Sequence, residues 1–88
     1  MKEIRSSDHA KAKLEVLAKH GVIVSTEFIE ATVRMPDKLE INEDGKFTAQ
    51  KRLNEKLVLG VVYREFAEFI LLITLYPGRR SRYEKDSL

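Results

Sequence analysis

The stretch that most limits how this chain can fold is Phe69-Ile70-Leu71-Leu72-Ile73-Thr74-Leu75-Tyr76. It is the most apolar run in the sequence. Its bulky, partly β-branched side chains read as a buried strand. At about eight residues it falls far short of the roughly 20 that a bilayer requires. It stops at Pro77-Gly78-Arg79-Arg80-Ser81-Arg82-Tyr83. A buried strand therefore delivers a tyrosine and three arginines to one edge of the fold. Guanidinium forks bind phosphate bidentately, and aromatic rings stack on bases, so this edge suggests a surface for ribonucleic acid.

The rest of the composition narrows the class. The 88 residues suit one small domain spanning 1–88, with a 43% apolar fraction sufficient for a single core. Without cysteine there is no disulfide, thiolate metal site or thiol nucleophile. The only two histidines, His9 and His20, disfavour a structural zinc site. The four glycines are isolated, so no phosphate-cradling glycine loop is present and no nucleotide cofactor is expected. Met1 to His20 is charged throughout and lacks the apolar segment of a signal peptide, which predicts a soluble, cytoplasmic protein. Net charge is only +2, but its distribution is uneven. Glu40, Glu43 and Asp44 sit centrally, whereas Pro77 to Tyr83 carries arginines and no acid.

Local patterns predict the elements. Ser6-Ser7-Asp8 is a cluster of helix-capping residues, and Ala10, Leu14, Leu17 and Ala18 follow at helical spacing. Gly21 suits the end of this first helix, read over Asp8 to His20. Ser25 caps a second helix with Glu27 in its first turn, and Pro36 ends it. The period then changes to two. Lys38–Asn42, Lys46–Leu53, Leu57–Glu65 and Phe69–Tyr76 read as strands, joined by turns at Asn42-Glu43-Asp44-Gly45, Asn54-Glu55-Lys56 and Phe66-Ala67. Such short links force antiparallel neighbours. The expected fold is α+β: two N-terminal helices on one face of a four-stranded antiparallel sheet. Lys2-Glu3-Ile4-Arg5 could add a short first strand, and residues 77–88 read as a polar basic tail.

The order of several short motifs carries a resemblance. Ser7-Asp8-His9-Ala10 opens the first helix, and Gly21-Val22-Ile23 with Ser25 precedes the second, which ends at Met35-Pro36-Asp37. Gln50-Lys51-Arg52, Val61-Val62-Tyr63 and Ile73-Thr74-Leu75-Tyr76-Pro77 follow. Over roughly Ser7 to Tyr83 the chain resembles a family of small prokaryotic domains of unknown function related to the RelE and BrnT toxins of toxin–antitoxin systems. The resemblance implies a microbial RNase-like fold and, for the toxin members, metal-independent cleavage of messenger RNA. It also implies an RNA or ribosome target and a separate antitoxin chain as partner.

Cleaving RNA requires a base, an acid and positive charge at the phosphate. His9 stands where the family places its histidine, and imidazole changes protonation state near neutral pH. A histidine that merely caps the helix is the plainer alternative. Arg52, on the polar side of its strand with Thr48 and Gln50, is the best central phosphate clamp, or one side chain of a solvated face. Tyr76 could stack on a base, donate a proton or sit at the rim. Arg79 would join Arg52 at the phosphate. Arg79, Arg80, Arg82 and Tyr83 form the expected RNA-binding cluster, or a solubilising tail, or the docking patch of an acidic partner. The rival reading is a non-catalytic protein-interaction module. A homodimer through an exposed edge strand is a third.

Overall fold

A computed structural model describes residues 2–83, the side chains of 82 and 83 excepted. The chain runs β1 (Glu3–Ser6), α1 (Asp8–Lys19), α2 (Thr26–Arg34), β2 (Lys38–Ile41), β3 (Phe47–Arg52), β4 (Leu57–Glu65), β5 (Phe69–Arg79) and a single helical turn, α3 (Arg80–Tyr83). The architecture is α+β, with α1 packed on β5 and α2 on β3 and β4.

Each helix begins where a serine can cap it. The Ser7 hydroxyl accepts from the Ala10 N–H and Ser25 from the Phe28 N–H, at 3.1 Å each. Gly21, at φ +83°, takes the left-handed conformation just past α1. Proline at position 36 stops α2. Lys51 Nζ then donates to the Met35 carbonyl, which closes the helix end.

The sheet differs from the four-stranded antiparallel expectation. Its five strands lie in the order β1-β5-β4-β3-β2. β1 pairs in parallel with β5, Glu3 opposite Phe69 and Ser6 opposite Leu72, which makes the sheet mixed. Ile4 thereby reaches Ile70 and joins the edge of the core. Arg34 Nη2, from the last turn of α2, donates to the Lys2 carbonyl and ties the strand to the helix layer.

The expected stop at Tyr76 also moves. β5 continues through Pro77 and Gly78 to Arg79, so residues 77–79 belong to the sheet. Pro77 is tolerated for a geometric reason. The Arg80 N–H donates to Lys56 O, and antiparallel ladders bond alternate residues. Gly78 and Tyr76 therefore face β4 with their backbone groups, while the Pro77 nitrogen points away. On that side β1 has ended at Ser6, so the missing N–H costs no ladder bond.

The core lies between helices and sheet. Ala10 and Leu17 of α1 and Ile29 and Val33 of α2 meet Ala49, Leu59, Val61, Tyr63, Leu72 and Leu75. Alternation then sends Thr48, Gln50, Arg52, Val62 and Tyr76 to the face without helices. A bulge in β5 leaves Ile73 without an opposite residue in β4. Ser7 uses it: its Oγ donates to Ile73 O at 3.0 Å while its N–H donates to Leu72 O. The start of α1 is thus fixed to the middle of β5.

Candidate functional site

The end of the sheet where β3 turns into β4 brings Lys56, Arg79 and Arg80 together. Asn54 shapes the turn: its Oδ1 accepts from the Lys56 and Leu57 N–H groups at 2.8 and 2.9 Å. β5 comes alongside with Arg79 opposite Leu57. The chain is then fastened to the turn twice, by the Arg80 N–H to Lys56 O and by Arg80 Nη1 to Glu55 O, both 2.9 Å. The result is an open pocket of about 610 Å³ lined by Lys56, Arg79 and Arg80, with Glu55 the one acid on its wall among the described residues. A second pocket of about 290 Å³ adjoins it, formed by Val22, Ile23 and Leu53. Both pockets share Asn54 and Leu57. The two hollows therefore meet along Asn54, whose Oδ1 is already committed to the turn, and Leu57.

The residues singled out from sequence separate into three places. Arg79 and Arg80 come together in the basic pocket. Arg52 and Tyr76 lie on the open face. Arg52 and Gly78 flank Val58 in one row, and Gln50, Gly60 and Tyr76 form the next such row. Arg52 is therefore one row from Arg79 at the same end of the sheet, but alternation puts the two on opposite faces. His9 is exposed in the first turn of α1, on the helix side. The sheet stands between it and both Arg52 and Tyr76. The side chains of Arg82 and Tyr83 lie outside the described residues.

Several charges elsewhere are paired, Lys2 with Glu65, Arg5 with Glu3 and Lys46 with Asp44 among them. The Lys46 ammonium beside Asp44 holds that carboxyl below its usual value. Burial, helped by the charge of Glu65, pushes the Tyr63 phenol up. Its ring stacks on Phe47 with centroids 5.2 Å apart, far from the basic pocket. Among the described residues no cluster of three or more histidines and acids could hold a metal ion. No helix among them is long and apolar enough to cross a membrane.

Sequence reasoning missed Lys56, Asn54 and the adjoining hollow. The turn itself was legible, because asparagine followed by two charged residues interrupts two strand patterns. That β5 would run back past it was not, since only the register of residues more than 20 apart brings Arg79 to Leu57.

Comparison with known proteins adds no relative: no family profile, no curated protein and no solved structure matches the chain. The likeness to RelE and BrnT toxins thus rests on the sequence motifs alone.

Proposed function

We propose that this chain binds single-stranded RNA around the end of its sheet. The observation that carries the reading is the double fastening of Arg80 to the β3–β4 turn, which holds Lys56, Arg79 and Arg80 about one open pocket. Three cations beside one acid, among the described residues, favour an anionic ligand such as phosphate over a neutral one. Arginine contributes planar forks and lysine a point charge, a combination suited to a backbone of successive phosphates. The adjoining hollow, with Val22, Ile23 and Leu53 in its wall, offers cover for a base. A strand passing round the sheet end would next meet Arg52 and Tyr76, the latter a ring for stacking.

Binding, rather than cleavage, is the activity proposed. A proton-transfer partner must come within hydrogen-bond reach of the reacting oxygen. His9 and Arg52 lie on opposite sides of the sheet, so one phosphate does not meet both. A toxin role, a ribosome target and an antitoxin partner remain compatible with an RNA-binding surface and are proposed only to that extent.

Fluorescence anisotropy with a labelled single-stranded oligoribonucleotide tests this directly. Binding should weaken steeply with salt, and the oligonucleotide should be recovered intact. Absence of binding at low salt refutes the proposal. Tighter binding of an acidic peptide than of RNA would assign the same pocket to a protein partner instead.

A further inference from the structure

We propose that two copies of this chain join antiparallel through β2, about a two-fold axis at Leu39, so that their sheets run on into one another. β2 is the outermost strand, and all four of its residues are exposed. Its pairing shows which backbone groups are open. Asn42 N–H donates to Lys46 O, so Asn42, Glu40 and Lys38 direct their backbone groups to β3. Leu39 and Ile41 direct theirs outward. A two-fold at Leu39 lets the two Leu39 residues exchange both N–H···O bonds. It also sets Ile41 opposite Asp37 of the second copy, whose N–H already donates to Gln50 O of its own chain, so the two Leu39 bonds carry the backbone pairing.

The side chains fit the same axis. Leu39 pairs with Ala49 and Ile41 with Phe47, which places both on the helix side of the sheet. The helices stop short of them: α2 covers β3 and β4, and α1 covers β5. Leu39 is left 46% exposed, Ile41 72% and Met35, just ahead of the strand, 69%. In the paired arrangement the two exposed Leu39 side chains cover each other.

Charge selects the occupant and the register. On the other side of β2, Lys38 and Glu40 lie 3.6 Å apart within one chain. The axis at Leu39 brings Lys38 of each copy opposite Glu40 of the other, giving two complementary pairs. Moving the axis to Glu40 sets the two glutamates against each other. Charged residues usually guard an edge strand, but here they match when the partner is a second copy. The opposite edge, β1, has no such exposed apolar side chain. Its Ile4 is half-buried, and its Arg5 is held by Glu3 and by the Phe69 ring, 4.4 Å from the guanidinium.

Sedimentation velocity over a concentration series tests the proposal. The contact is small, so a concentration-dependent monomer–dimer equilibrium is expected. Glu40→Lys sets like charges opposite each other and should return the chain to monomer. Adding Lys38→Glu to it should restore the dimer. A direct readout comes from Leu39→Cys, since the chain has no other cysteine. Bonded antiparallel pairs have Cα atoms about 5.5 Å apart, within disulfide reach, so mild oxidation should yield a covalent dimer. Ile23→Cys, at an exposed site in the connection between α1 and α2, should not. The proposal fails if the chain is monomeric throughout, if Glu40→Lys dimerises as well as the parent, or if the charge exchange restores nothing. It fails too if the two cysteine variants cross-link equally.

Discussion

The ring of Tyr76 lies across the backbone of Gly60. A β-carbon at position 60 would come within 2.7 Å of Tyr76 Cε2 and 2.8 Å of its hydroxyl oxygen. A side chain at position 60 would collide with the tyrosine ring, and Gln50, the next residue in the same row, is buried on this face without helices. Gly60→Ala should displace the ring and cost about 1–3 kcal/mol, as overpacking does. For a domain of this size each kcal/mol lowers Tm by about 4–8 °C. In a Tyr76→Ala background the same substitution should cost much less, and a double-mutant cycle by thermal denaturation measures the difference.

The two helix caps should differ in cost. Ser25 is exposed and serves α2 alone, so Ser25→Ala should lose about 0.5–2 kcal/mol. Ser7 also donates to Ile73 O, the carbonyl of the bulge residue. Ser7→Ala removes the cap and leaves that carbonyl without its donor, a further cost of about 1–3 kcal/mol. Urea unfolding of the two variants should rank Ser7→Ala as clearly the worse. Equal losses would mean that the bond to the sheet contributes nothing.

Tyr63 makes stability fall at alkaline pH. Burial and Glu65 hold its phenol above the ordinary tyrosine value, so the fold keeps a proton that the unfolded chain releases. The unfolded state then binds fewer protons, and unfolding free energy declines as pH rises past the unfolded value of about 10. Tyr63→Phe removes this dependence. Comparing the chemical denaturation of both proteins at neutral and alkaline pH isolates it, since every other titrating group is common to the pair.

RNA binding should depend on the sheet end and not on the start of α1. Arg79→Ala and Lys56→Ala should each weaken binding and reduce the slope of log affinity against log salt by about 0.7, the value for one lost single-strand phosphate contact. Arg52→Ala should do so if the strand continues onto the open face. His9→Ala should leave both affinity and slope unchanged. A histidine variant that abolishes binding would move the site to the helix side.

Much of this molecule was legible from local sequence. Ser7 and Ser25 announced the helix starts, Pro36 the stop, and alternation around Ala49 the face that turns inward. These depend on residues within a few positions of each other, where backbone sterics and side-chain periodicity act alone. Pro77 misled for the same reason. Taken locally, a proline after an apolar run ends a strand, and only its register against Leu59 shows that its nitrogen faces no partner.

The sequence by itself determined the two helices, the four strands from Lys38 onward with their order, and the inward side of β3, because propensity and periodicity are properties of short segments. The tertiary structure alone decided that β1 joins beside β5, that Arg79 and Lys56 share a pocket, and that Arg52 and His9 do not meet. Those outcomes depend on register between distant segments. Shifting a strand by one residue exchanges its faces, and no local pattern at Arg52 or Arg79 records which partner lies alongside.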